Sequence, residues 1–302
     1  MFKKIIILLL MIGGVVYFFY YQQAPTDAYR MIISEKLDEN KGGLYEDNVT
    51  TGYEKDFPYA SKYYFRGDEA ENYFWHDNFC FNIVHLTVNH KLKVVLNGFS
   101  ENKQCIDITQ INEPIIFSEE NNNDWLTSNI VATFDIWLEE GRIFDKSFDY
   151  NNDIFVEGEW YYGKVDSRKN LSGNIPNTLA NNIVEERNES IYESKIGLVS
   201  QSEYLKSLEG LQVTYASNDI PRETFLFNEW NFWTLTGHLH DQERVYAITA
   251  AQELEEFTVS SNSLLRLLYA DSNNYTIFPA FYIDGLLEFE GNGTSEEPFY
   301  VK

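Results

Sequence analysis

Hydrophobic and polar positions fall into three regimes along this chain. The first is an uncharged run from Ile5 to Tyr21, behind Lys3 and Lys4. As a helix it reaches roughly 25 Å, at the short end of what crosses a bilayer's hydrocarbon. It closes on Tyr17-Phe18-Phe19-Tyr20-Tyr21, rings that suit the membrane interface. The lysines before the run set the N-terminus in the cytoplasm and everything downstream outside. Residues 1–25 are therefore expected to be a membrane anchor or uncleaved signal. Small residues that would favour cleavage are poorly placed, since Ala24 precedes Pro25.

The second regime is mixed. Residues 26–44 read as a short juxtamembrane helix, with Thr26 at its start, Ala28, Met31, Ile32 and Leu37 as an apolar stripe, and Gly42-Gly43 as its stop. It is either a stalk or the first piece of the folded domain.

From residue 45 to 166 the pattern becomes β. "SKYYFRG", "FCFNIVHLTV", "KLKVVLNGF", "QCIDITQ" and "EPIIF" are short runs broken by Gly, Asn, Asp and Pro. In "SNIVATFDIWLEEGRIF" the alternation of Ile130, Ala132, Phe134 and Ile136 predicts a strand, turning at Glu140-Gly141 into a hairpin. An antiparallel sandwich or partial barrel is expected. Residues 167–178 are polar and hold Gly173 and Pro176, so they read as a linker. Residues 179–302 alternate helical and strand-like text and predict a smaller α+β domain. "NTLANNIVEER", "SEYLKSLEGL", "AQELEEF" and "NSLLRLLYA" are its expected helices. "NFWTLTGHLH" and "ERVYAITA" are expected strands, and "YTIFPAFYI" with "LLEFEG" an expected hairpin through Asp284-Gly285. The fold class is thus β-rich α+β.

Composition sharpens the picture. The net charge is −24, and setting aside the +2 of Lys3 and Lys4 leaves −26 on the rest. Such a charge repels phosphates, so nucleic acid is excluded as a partner. It would steer a basic protein inward. Cys80 and Cys105 are the two cysteines. Outside the cytoplasm such a pair is expected to close into a disulfide, across a three-strand meander.

Candidate chemistry is sparse. In "GHLHDQE", His238 and His240 would share a strand face and could hold a divalent metal, with Asp241 or Glu243 adding an oxygen. The same text also reads as a strand entering a turn. No other cofactor is called for. "DYNNDIFVEGEW" starts like a calcium loop, but Ile154 and Trp160 stand where Gly and Glu are required, which leaves an acidic turn. Glu157 and Glu159 share a face beside Trp160 and Tyr161. This cluster could receive Lys or Arg of a partner, or serve sugar hydrolysis as a carboxylate pair. No nucleophile elbow, P-loop or dinucleotide fingerprint is present. The expectation is a single-pass membrane protein with an extracytoplasmic C-terminal domain, periplasmic in a Gram-negative cell. It would bind a basic protein or a glycan, as an inhibitor or immunity-type protein does. An envelope hydrolase, metal-dependent or carboxylate-based, is the alternative.

Overall fold

The structure, a computed structural model, describes residues 27–37, 43–47, 59–107, 114–166, 183–187, 190–208, 224–226, 231–249 and 265–302. The expected anchor and linker lie outside these residues. Among the described residues no helix is long and apolar enough to cross a membrane.

The chain enters on α1 (Ala28–Lys36), which Asp27 caps by accepting the Arg30 N–H at 2.9 Å. The helix ends earlier than Gly42-Gly43, at Leu37. Ala28, Ile32 and Lys36, four residues apart, are buried. The helix is therefore the first piece of the domain, and not a free stalk. The Lys36 ammonium pairs with Glu71.

Six strands follow: β1 (Leu44–Glu46), β2 (Ser61–Phe65), β3 (Tyr73–His76), β4 (Phe79–Thr87), β5 (Lys91–Glu101) and β6 (Gln104–Asp107). Every residue of β4 is buried, so both of its faces are covered. The meander β4–β5–β6 joins Cys80 to Cys105 in the expected disulfide, with Cα atoms 5.5 Å apart.

The next expected hairpin is corrected at its first strand. Residues Asn129–Glu140 form α2, not a strand. Its buried side chains are Ile130, Val131, Phe134 and Trp137, which recur at helical spacing. Ser128 caps it, accepting the Val131 N–H at 3.2 Å, and Gly141 closes it at φ 63°, a left-handed position that favours glycine. Of "EPIIF", the described residues 114–117 are irregular backbone and not a strand.

Short strands follow: β7 (Arg142–Ile143), β8 (Lys146–Ser147), β9 (Phe155–Val156), β10 (Gly158–Tyr161), β11 (Lys164–Val165), β12 (Ile191–Ser194) and β13 (Ile196–Gly197). Then come α3 (Gln201–Ser207), as expected from "SEYLKSLEGL", and β14 (Phe232–His238), β15 (Arg244–Ile248), β16 (Leu265–Tyr269), β17 (Ala280–Asp284), β18 (Phe289–Glu290) and β19 (Tyr300–Val301). Part of "NSLLRLLYA", expected as a helix, is the strand β16, paired antiparallel with β15. Sheet pairing overrides a leucine-rich helical preference there. The expected hairpin through Asp284-Gly285 is also corrected, because β17 pairs with β5, β9 and β13 while β18 pairs with β19. "AQELEEF" lies outside the described residues.

Two sheets dominate. One has nine strands, with the path β1-β2-β4-β5-β17-β13 and with β3, β6 and β9 added to β4, β5 and β17. The other has the order β11-β14-β15-β16. The larger sheet draws strands from both sides of residues 167–178, and a single apolar cluster runs through both halves. Aromatic rings fill its centre, where Phe81, Phe148, Phe155 and Phe281 pack at 5.0–6.4 Å between centroids.

Candidate functional site

The two sheets meet at the first turn of α3, and the charges buried there make the site. Ser200 caps the helix in a capping box: the Glu203 N–H donates to Ser200 Oγ at 3.3 Å, and the Ser200 N–H donates to Glu203 Oε2 at 2.7 Å. The helix is tied to the smaller sheet where the Gln201 N–H donates to Thr236 Oγ1 at 2.9 Å. It is tied to the larger sheet through Lys93 and Lys206.

Lys93, on β5, is 2% exposed. Its ammonium donates to both Glu203 oxygens at 2.7 Å and to the Leu198 carbonyl at 3.2 Å. It also lies 4.6 Å from the centroid of the Trp160 ring. Burial lowers its pKa, against the attraction of Glu203. Burial would raise the pKa of the Glu203 carboxyl, but Lys93, His85 and the cap hydrogen bond outweigh it and hold the group below its ordinary value. Lys206 repeats the pattern, donating to Asp47 Oδ2 at 2.6 Å and to Ser61 Oγ at 2.8 Å.

Glu186 is 3% exposed and sits in a pocket of hydroxyls. It accepts from Thr236 Oγ1 at 2.7 Å, Ser200 Oγ at 3.1 Å, the Ser202 N–H at 3.1 Å and the Ser202 hydroxyl. Burial raises its pKa in spite of these bonds. Glu186 lies in helical backbone at residues 183–186, and the Gly163 N–H donates to its carbonyl at 2.8 Å.

His85 stands opposite Lys93 in the β4–β5 ladder, just past a register irregularity at Ile83/His85. Such a bulge re-aims the side chain that follows it. Its Nδ1 lies 3.5 Å from Glu203 Oε1, and its Nε2 is buried with no hydrogen-bond partner among the described residues. Burial pushes its pKa down to about 3, so the ring is neutral.

These groups line a small recess whose aromatic walls are Tyr59, Tyr161 and Tyr282. At its rim stand the acidic residues singled out in the sequence. Glu157 is exposed and Glu159 half-buried, on the same face, while Gly158 and Trp160 point inward. Glu159 lies directly opposite Glu193 in the β10–β12 pair. Tyr59 donates to the Glu157 carbonyl at 3.0 Å, and Tyr161 donates to Glu159 Oε2 at 2.7 Å. Burial, then the charges of Glu159, Glu157 and Glu193, raise the Tyr59 pKa, so the three carboxylates gather round one ring. Trp160 is corrected as a partner-facing residue. It is 1% exposed and its indole N–H donates to the Ser194 carbonyl at 2.9 Å.

The histidine pair lies elsewhere. His238 ends β14, is buried, and its Nδ1 accepts the Asp241 N–H at 2.9 Å. His240 is already in the turn, with Nε2 3.2 Å from Asp166 Oδ2. Their ring centroids are 6.4 Å apart, and Asp241 pairs with Arg244 at 3.1 Å. Among the described residues no group of three or more His, Cys, Asp or Glu could hold a metal ion. In the acidic turn, Asp149 Oδ1 accepts the Asn151 N–H at 2.9 Å.

Sequence reasoning missed His85, Lys93, Glu186 and Lys206. For the first two a signal existed: a histidine and a lysine interrupt runs of Ile, Val and Leu that both faces of a covered strand demand. Compared with protein-family models, curated proteins and solved structures, the chain matches none.

Proposed function

We propose that the protein is a membrane-anchored extracytoplasmic binding protein whose acidic face receives a basic protein partner at the rim formed by Glu157, Glu159 and Glu193. One observation carries the reading: Glu159 and Glu193 oppose each other across β10–β12, with Glu157 beside them. Like charges directly across an antiparallel pair destabilise a sheet. An arriving Lys or Arg relieves that repulsion, and the half-buried Tyr59 offers it a ring, whereas Tyr161 is buried with Arg187 over its face. The charge of −24 supplies the long-range attraction. An inhibitor or immunity-type role fits a partner met in this way.

The test uses the full chain in micelles and an oligolysine peptide as probe. Binding at about 20 mM salt should fall at least tenfold by about 200 mM, as screening requires. Replacing Glu157, Glu159 and Glu193 together by Gln should abolish most of it. Replacing Glu119, Glu120 and Glu243 instead removes the same charge elsewhere and should leave most of the binding. Equal losses from the two triple variants would mean that bulk charge alone attracts the peptide, and the proposed rim would be wrong.

A further inference from the structure

The chain is short between its apolar run and its first helix, and that length decides which end of the domain meets a membrane. Tyr21 closes the run and Asp27, six residues on, caps α1. Six residues span at most about 21 Å, whatever their conformation. A folded domain of this length is roughly 50 Å across. Asp27 therefore stands on the bilayer side of the domain, a step that rests on the anchor in the reading above.

The start of α1 is bonded to one corner of the larger sheet. The Ala28 N–H donates to the Leu287 carbonyl at 2.7 Å, and the Tyr29 N–H to the Gly285 carbonyl at 2.9 Å. The Gly285 N–H donates in turn to the His90 carbonyl at 3.0 Å. The turn after β17 and the turn between β4 and β5 thus lie side by side at the helix start. Each carries an apolar side chain into solvent. Leu286 is 63% exposed, more than any other large apolar residue among those described, and Val88 is 40% exposed. Both turns are pinned. Asp284 Oδ1 accepts the Leu286 N–H at 3.1 Å, and Thr87 Oγ1 accepts the Lys91 N–H at 2.8 Å. Single exposed apolar residues are ordinary on a surface. What marks this pair is its place, on adjoining fixed turns at the corner the tether turns toward the bilayer.

Charge separates this corner from the rest of the surface. Arg30 pairs with Asp27 at 3.4 Å and Lys91 with Asp284 at 3.3 Å. Lys62 is exposed beside Tyr63, whose ring meets that of Tyr29. Asp153 and Glu288 are the exposed carboxylates next to the Asp284 turn. Three cations stand against four carboxylates, in a chain of net charge −24. Nothing here attracts an anionic headgroup, and the near balance spares a zwitterionic one the repulsion found elsewhere. We propose that this corner is a bilayer-contact surface, on which Leu286 and Val88 enter the headgroup layer of a zwitterionic phospholipid membrane and fix how the domain stands on it. The Val88 N–H donates to the Ala60 carbonyl, and the neighbouring Tyr59 reaches Glu157, so the acidic rim stands close above the headgroups.

The experiment places the full chain in phosphatidylcholine vesicles, with Cys80–Cys105 left oxidised and one nitroxide attached through Leu286→Cys, Val88→Cys or Ile136→Cys. Ile136, 47% exposed on α2, is the control. Power saturation compares collisions with oxygen, which enters the acyl layer, and with a nickel chelate, which stays in water. The labels at 286 and 88 should lose nickel collisions and gain oxygen, while the label at 136 should not. Adding Leu286→Asp should return the label at 88 to water. Corner labels as open to nickel as the control would overturn the proposal. So would equal immersion of all three, which is adsorption without a chosen face, or shielding of the corner from both reagents, which is cover by protein. Flotation of the vesicles keeps the readings apart. A chain that does not float with them has no anchor, and this surface falls with it. A chain that floats with its corner in water loses this surface alone, and the peptide titration of the rim is read separately.

Discussion

A lysine and a glutamate taken out of water together are costly to separate. Lys93 and Glu203 bond to each other twice inside the protein, so removing one charge strands the other. Glu203→Gln keeps the shape of the capping box and leaves Lys93 without its counter-charge. We expect it to cost about 3–5 kcal/mol in urea unfolding. Replacing both residues by apolar ones of similar volume should recover much of that loss, and a double-mutant cycle measures the coupling. His85 sets a pH dependence beside them. Its pKa falls from 6.5 to about 3 on folding, under burial and the neighbouring Lys93, Lys206 and Arg187, against the pull of Glu203. Below pH 6.5 the unfolded chain binds a proton that the folded chain refuses, so stability falls as pH falls. By pH 5 the loss should be about 2 kcal/mol. Glu203, held below its ordinary value, adds a loss of the same sign at lower pH. His85→Asn should flatten the stability curve between pH 6.5 and 5. An unchanged slope would show that another group titrates there.

At the scale of elements, the β4–β5–β6 meander is closed by Cys80–Cys105, 25 residues apart. Reduction should cost about 3.5 kcal/mol in the chain-entropy account, read as a lower urea midpoint, and the thiols should resist alkylation until reductant is added. Strand β10 depends on close approach. A Cβ at Gly158 would sit 2.0 Å from the Tyr282 ring, so Gly158→Ala should cost about 1–3 kcal/mol and displace a wall of the recess. The elements also show what the sequence could reveal. β4, β5, β14, β15 and α3 were legible because their apolar runs are long or well capped. α2 was misread because its β-branched residues, Ile130, Val131 and Thr133, imitate a strand. The better guide was the spacing of Ile130, Phe134 and Trp137. The site was legible only at its rim. Glu157, Glu159 and Tyr161 are neighbours in sequence, whereas Lys93 and Glu203, or Lys206 and Asp47, are joined only by the fold.

For the whole molecule, charge and topology are separate facts. The acidic excess sets how the surface meets other molecules, and it is readable without any structure. The architecture is not: composition breaks suggested two successive domains, yet the nine-stranded sheet takes strands from both halves. Local patterns carry strand identity but not strand order, which long-range pairing decides.

That sheet has one further consequence. β17, residues Ala280–Asp284, is an interior strand flanked by β5 on one side and by β9 and β13 on the other. A ribosome delivers it long after β5. Until it arrives, β5 keeps an open edge able to pair with strangers, and a product truncated before residue 280 would carry that hazard permanently. The nascent protein therefore needs either a chaperone's cover or rapid synthesis of that stretch, and a stop codon placed between β16 and β17 should yield aggregate instead of a folded protein.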